Sequence, residues 1–384
     1  MLPGVTVQLW LGRVAAWPAP ASIVQQIQSI EVSQNDTGRS GFQIIFSATR
    51  SDGVSSDYEL LDSFYLLPFN RVVIVVTVGG SSTVLMDGVI TNRQLIPGDG
   101  PGGTVFAVTG EDITCLMDMT ELSVEYPAMS AELQAAFILL RNIYLGLIPI
   151  VIPTLFPDEP LPVDRTPLQQ GTDLRHLQML ANRAGYLFYV APGPVPLTNY
   201  AYWGPPIRIG PPAPAIDVDM GAQTTATNVK FSYDALAPTF VVGLYQDLKI
   251  PFFMMPIVTF ASLHLPPLAA LPALYASLPN IRTTILDVSG LDIISAWMKA
   301  QSITDRSTDN VLLATGDLDT VRYGAVLTAR GLVGVRGAGW QHDGVYYVKQ
   351  VVHKLNRRQY TQSFQLVREG YGSTVPAVMT KGLW

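Results

Sequence analysis

The run Val345-Tyr346-Tyr347-Val348-Lys349-Gln350-Val351-Val352, with Tyr360-Thr361-Gln362-Ser363-Phe364-Gln365-Leu366-Val367 after it, decides the fold class. Both segments are rich in aromatic and β-branched residues. The second alternates with period two, as a strand with one covered face requires. The polar residues Asn356 to Gln359 join the two as antiparallel neighbours. Just upstream, Asp343-Gly344 is a tight-turn dipeptide between β-type segments. Arg322-Tyr323-Gly324 and Val335-Arg336-Gly337-Ala338-Gly339 before it, and Arg368-Glu369-Gly370 after it, complete a run of strands punctuated by glycine. Nothing in this run has the pattern of a catalytic site.

Similar short strands fill the N-terminal third. Val5 to Leu9 reads as a first strand, and Ile27 to Val32 and Gly41 to Ala48 as a pair joined by the polar turn Ser33 to Ser40. Val72 to Val78 is almost wholly apolar, so cover on both faces is expected. Gly79-Gly80 turns it into Val84 to Thr91, and Thr104 to Thr109 follows. Such strands must lose their edges, which predicts a small barrel or closed sandwich over 1–110. The pattern then changes. Asp112 to Met119 is expected to be helical, and Ser130 to cap a helix from Ala131. Thr172 or Asp173 caps a helix with Leu174, Leu177, Leu180 and Ala181 on one face; Gly185 stops it and Tyr186 to Val190 is a strand. Val229 to Tyr233 and Thr239 to Tyr245 are strands, Gly290 to Thr304 a helix, and Thr320 to Ala329 the expected start of the C-terminal β unit. The division is 1–110, a helix-containing middle domain over 111–215, and a β domain over 216–384. The β-rich ends are candidates for structural duplicates, although the residues offer no evident alignment. The class is α+β, mostly β.

Charged residues make up only 14% of the 384 residues, against about 25% in ordinary soluble chains. A chain this apolar is expected to bury surface in an obligate oligomer. Its formal charge of −6 argues against sequence-independent nucleic-acid binding. The one basic cluster, Lys349, His353, Lys354, Arg357 and Arg358, is expected at a solvated hairpin rim. Cys115 is the only cysteine, so no intramolecular disulfide forms, and it reads as a buried structural thiol. No basic region followed by an apolar run marks a secretory signal at the N-terminus. Ala135 to Phe156 is too interrupted to span a membrane. Ile250 to Ile281 carries no charge, but Pro251, Pro256, Pro266, Pro267, Pro272 and Pro279 argue against a spanning helix. It reads as an interface-lining insertion with a short helix near Leu268 to Leu278.

Catalytic, cofactor and metal signatures are absent. The histidines His176, His264, His342 and His353 lack zinc-ligand spacing. Gly334, Gly337 and Gly339 are in the wrong order for a dinucleotide loop. A glycosidase needs facing carboxylates; Asp158-Glu159, Asp217 with Asp219, and Asp317 with Asp319 are the acidic pairs, read by default as loop and turn residues. The residues singled out serve turn geometry, strand packing and interfaces: Gly324, Gly337, Gly339, Asp343, Gly344, Tyr347 and Gly370.

The C-terminal run over roughly 315–370 resembles the signature of baseplate hub proteins of contractile phage tails and injection systems. That family includes the phage tail protein D group and the hub part of type VI spike proteins. The leucine-rich helix ending in Gly185 before an aromatic strand, and Gly110-Glu111-Asp112 to Leu116, resemble it more weakly. The resemblance implies two tube-protein-like antiparallel β-barrel domains with smaller α/β insertions, in a ring-forming trimer. It implies a homotrimeric adaptor between a hexameric inner tube and a trimeric spike, with other baseplate proteins as further partners, assembled in the bacterial cytoplasm into a tail or injection particle. Type VI spike proteins continue into a further barrel and a needle, whereas this sequence stops at Trp384. The spike is therefore expected on a separate chain, docked by Tyr371 to Trp384. The alternatives are a cell-wall hydrolase of such a particle and a membrane-associated anchor.

Overall fold

The computed structural model describes residues 4–13, 15–48, 58–98, 103–154, 166–246, 254–286 and 293–375. The N-terminal unit contains β1 (Val5–Gly12), β2 (Ile27–Asn35), β3 (Gly41–Ser47), β4 (Arg71–Val78), β5 (Ser81–Ile96) and β6 (Val105–Asp112). Hydrogen bonding places them in the order β1-β4-β5-β6-β3-β2. The sheet curls around one core that takes residues from every strand, among them Leu9, Val32, Ile44, Ile74, Ile90 and Phe106. β4 is buried along nearly its whole length. Val72, Ile74 and Val76 face that core, while Val73 and Val75 pack with Ala16 and Val84 on the other side. An all-valine-type strand is the sequence consequence of being covered twice.

The C-terminal unit contains β7 (Ala213–Asp217), β8 (Ala226–Tyr233), β9 (Leu312–Asp319), β10 (Leu332–Arg336), β11 (Gly344–Asn356) and β12 (Tyr360–Arg368). Its order is β7-β10-β11-β12-β9-β8. Strand for strand this repeats the first unit, with one departure: β1 lies antiparallel to β4, whereas β7 lies parallel to β10. Along β12 buried and half-buried residues alternate from Tyr360 to Gln365, as its period-two sequence demands.

β2 and β11 weld the two six-stranded units into one sheet, which the two-residue strand Trp17–Pro18 beside β1 brings to 13 strands. They run antiparallel, with Val352 opposite Ser33, His353 opposite Val32 and Lys354 opposite Glu31. The weld is more than an edge contact: Leu355 and Tyr360 lie in the N-terminal core. His353 was expected on a solvated rim. It is instead fully buried, because its phase along β11 is that of Val351 and Leu355. Its Nδ1 lies 2.9 Å from the Tyr360 hydroxyl, and burial pushes its pKa down to about 3.

The middle of the chain packs α1 (Ala131–Arg141) and α2 (Asp173–Ala184) against a three-stranded sheet of Leu147–Val151, Leu187–Pro192 and Asn199–Gly204. The Thr172 hydroxyl accepts from the Arg175 N–H at 3.3 Å, and Gly185 ends α2 at φ 72°. Arg71 of β4 pairs with Asp87 of β5 at 2.6 Å, and Asn199 donates to the same carboxylate at 3.1 Å, tying this region to the first unit.

An insertion between β8 and β9 forms a second three-stranded sheet, Thr239–Gln246, Met254–Thr259 and Arg282–Ile285, on α3 (Ile293–Asp309). A buried charge network anchors it. Arg208 reaches Glu369 at 2.9 Å and Asp309 at 2.6 Å. His264 Nδ1 lies 2.8 Å from Asp309. Glu369 also accepts the N–H groups of Leu268 and Ala269. Burial works against the charged form of His264, but the Asp309 and Asp305 carboxylates outweigh it and raise its pKa.

Four local expectations are corrected. Thr320 to Ala329 does not begin the C-terminal β unit, whose first strand is β7: Asp319 caps a single turn, Thr320–Tyr323, ended by Gly324. Asp112 to Met119 narrows to a 3-10 helix, Ile113–Asp118, capped by Asp112. Leu268 to Leu278 is split into a strand, Ala269–Pro272, and one turn, Ala273–Ala276, because Glu369 holds its first N–H groups in place. Asp343-Gly344 is not a two-residue hairpin; it closes a longer loop over 337–343.

Two measurements follow. Arg208→Ala takes the guanidinium away from two carboxylates and should lower the unfolding free energy by ~3–5 kcal/mol, with new proteolytic cleavage in the insertion. Unchanged denaturation and cleavage would contradict the anchoring role. His353 is neutral when folded but charges below its ordinary 6.5 when unfolded, so its contribution is complete above pH 6.5 and drains away toward pH 3. The stability difference between the native chain and His353→Leu should therefore shrink by up to about 1.4 kcal/mol per pH unit over that window. A difference that does not vary with pH would refute the burial.

Candidate interaction surfaces

The loop between β10 and β11 brings several of the singled-out residues together. Gly337 has φ 92°, and a Cβ there would stand 2.1 Å from the Val218 carbonyl oxygen. The Gly339 carbonyl accepts from the N–H groups of His342 and Asp343, and Asp343 Oδ1 accepts from Ala338 N–H at 2.8 Å. Gly344 and Gly370 are also close approaches: a Cβ would meet Arg368 Nη1 at 2.9 Å in one case and the Leu271 carbonyl oxygen at 2.2 Å in the other. Gly324, ending the turn after β9, and Tyr347, packed with Leu268, Leu332 and Val367, lie apart from this loop.

Arg368, which the sequence reading passed over, is the centre of the group. Its guanidinium donates to the carbonyls of Asp343 and Gln341 at 2.8 Å each and to Gly370 at 3.0 Å. It lies 4.4 Å from the Tyr346 ring centroid. Burial lowers the Arg368 pKa and pushes the Tyr346 hydroxyl up to about 12. The signal was its phase: Arg368 continues the buried series Tyr360, Gln362, Phe364 and Leu366. The loop is thus a pinned turn, held by Arg368 from one side and by its own Gly339 and Asp343 acceptors from the other.

Two broad faces remain open. The first is the outer side of the long sheet. Registered rows cross it: Lys230, Thr315, Gln365, Gln350 and Asn35 form one, and Thr361, Lys354, Glu31, Gln43, Thr109 and Asn92 another. These side chains are mostly short or amide, with few charges. The second face belongs to the insertion. Val242 pairs with Val258 and Ile285, and Leu244 with Pro256. All of these point away from α3 into solvent; Leu244 is 65% and Ile285 85% exposed. Apolar side chains clustered on an open sheet face mark an interaction surface.

Three of the acidic residues, Asp217, Asp317 and Asp319, have structural partners. Asp217 pairs with Arg336, and Asp319 caps the turn after β9. Asp317 is held below the usual carboxylate range by the Ser363 hydroxyl, with help from Asn228. Asp158 and Glu159 lie outside the described residues, as does most of the C-terminal tail beyond Val375. Burial, with Asp112 and Glu111 nearby, pushes the Cys115 thiol up to about 12, so it is held protonated. A cavity of about 470 Å³ between β1 and β2 is lined by Val5, Val7, Leu9, Ile27 and Leu355, with no carboxylate on its wall. Among the described residues no cluster of His, Cys, Asp or Glu suits a metal ion, and no helix is long and apolar enough to cross a membrane.

No family model and no curated protein matches the sequence. Solved structures do match. A tail protein from Neisseria meningitidis MC58 aligns with TM-score 0.64 at 12% identity, covering 95% of this chain and 97% of its own. The 43 kDa tail protein of prophage MuSo2 from Shewanella oneidensis gives 0.61 at 12%, covering 94% and 98%. The E. coli c3393 protein, a component of the type VI secretion system, gives 0.53 at 12%, covering 92% and 76%. At such identities the likeness is one of fold, and it runs nearly end to end: this chain has the fold of phage tail proteins, shared with a type VI secretion component.

Proposed function

We propose that this chain is the structural hub of a phage tail or contractile injection system, a non-enzymatic homotrimer that joins a hexameric inner tube to a trimeric spike. The observation that carries the reading is the repetition of one strand order within a single chain. Two like units per chain let three copies offer six, so a threefold assembly meets a sixfold partner on one side and a threefold partner on the other. The weak charge of the outer sheet face suits a channel wall, since it gives a passing polymer little to hold. The apolar face of the insertion is the surface for the separate spike chain or another baseplate protein. The particle is assembled in the bacterial cytoplasm.

Light scattering on the purified chain should give the mass of three copies, and a complex of equal stoichiometry with the spike protein of the same particle. A monomer that ignores the spike would overturn the reading. Leu244→Lys with Ile285→Lys should leave the chain's own stability within about 0.5 kcal/mol, as for exposed positions, while weakening the partner complex at least tenfold. An unchanged complex would remove the insertion face from the interface.

A further inference from the structure

The repetition of the two units extends to irregular features. In β5·β6 the register slips between Ile90 and Asn92; in β11·β12 it slips between Val348 and Gln350. Phe69, at φ 64°, donates to the Ile90 carbonyl at 2.8 Å, and Arg330, at φ 71°, donates to the Val348 carbonyl at 2.7 Å. Both residues stand two positions before the equivalent strands β4 and β10. Non-glycine residues at such φ values are uncommon, so their recurrence at one place fixes the alignment. Gln94 then corresponds to Val352, Leu95 to His353 and Ile96 to Lys354. The β2·β3 and β8·β9 registers likewise match Glu31 with Lys230, Val32 with Phe231 and Ser33 with Ser232.

The alignment exposes an asymmetry. β11 uses residues 350–356 to bind β2, but the matching end of β5, Thr91 to Ile96, pairs among the described residues only with β6. β2 binds β11, but its counterpart β8 pairs among the described residues only with β9. Burial follows: Lys349, Gln350 and Val352 are half-buried, whereas Thr91, Asn92 and Gln94 are exposed. Ser33 is half-buried and Ser232 exposed. Open edges present a row of free backbone groups that template further pairing. These two stand at opposite ends of the order β8-β9-β12-β11-β2-β3-β6-β5, seven strand spacings of about 4.8 Å apart, and do not meet within one copy.

We propose that β8 of one copy adds antiparallel to Thr91–Ile96 of the next, in the register of the β2·β11 weld. Ser232 then faces Gln94, Phe231 faces Leu95 and Lys230 faces Ile96. The side chains suit the contact. Leu95 and Phe231 are each half-buried against their own unit's core, so the junction completes the cover of both. The Lys230 stem lies along Ile96 with its ammonium free in water. The contact is head-to-tail, so it propagates from copy to copy and closes where the rotation permits. It specifies the interface of the trimeric ring and rests on that reading.

The register also names the test. Asp36 donates to the Lys349 carbonyl at 2.9 Å, making that a hydrogen-bonded pair. Antiparallel pairs alternate, so Ser33 opposite Val352 is non-hydrogen-bonded, the closer kind at about 4.5 Å between Cα atoms. Gln94 opposite Ser232 inherits that geometry, which is within disulfide reach. The full chain carrying Gln94→Cys, Ser232→Cys and Cys115→Ala is oxidised mildly and run without reductant, beside a light-scattering measurement. Ser33→Cys with Val352→Cys, inside one chain, controls for the oxidation. Covalent two- and three-chain species with the pair, and none with either single cysteine, are expected. A trimer by mass that the pair fails to link, while the control closes, overturns the junction and leaves the ring reading standing. A monomer throughout overturns both.

Discussion

The antiparallel pairing of β2 with β11 is the constraint on which the rest of the molecule depends. It joins residues near opposite ends of the chain, and it is a shared wall: Leu355 and Tyr360 fill the first unit's core. Side chains beside the weld tie its flanks. Gln34 bridges the Leu85 carbonyl and the Ala329 N–H, and Arg357 donates to the carbonyls of Gln25 and Ile27. The first unit therefore cannot complete its core until the last strands exist. Such long-range pairing incurs loop-closure entropy before any contact rewards it, so most of the chain must be in place before the weld can form.

Fixed buried charges position what is hung on this sheet. The Arg71–Asp87–Asn199 group holds the middle region, and the Arg208–Glu369–Asp309–His264 group holds the insertion. Buried ion pairs contribute little net stability compared with apolar packing, but breaking one is severe. Their effect is to permit one docking geometry. Apolar contact alone tolerates sliding, whereas a guanidinium held at two carboxylates does not.

How much of this was legible in the sequence depends on range. Local periodicity gave the strands β1 to β6 and β11 to β12 nearly in place, because a strand's own covered face imprints alternation on it. The same alternation placed His353 and Arg368 inward; reading them by charge instead of phase sent His353 to the rim and passed over Arg368. Thr320 to Ala329 was misread because β-branched and small residues there serve a cap and a turn, with Asp319 accepting from Val321 and Arg322. The weld, the strand order and the Arg208 network left no local trace. Each joins residues far apart in sequence, and pairing partners are set by edges and cores that no window contains. The resemblance to hub proteins supplied the fold that periodicity alone left open.

The low charge of the chain acquires a physical meaning from where its apolar side chains stand. The outer sheet face carries threonine and amides in registered rows, with Lys230, Lys354 and Glu31 among them, a surface that stays wet at little energetic penalty. The insertion instead exposes valine, leucine and isoleucine on a sheet face that α3 leaves uncovered. If both faces were bound for solvent, selection for solubility would have made them alike. Their contrast divides the molecule's exposed sheet surface into a polar face and an apolar one. The strand order makes the first side continuous across both units, so a polar surface that begins in one unit is carried without a break into the next.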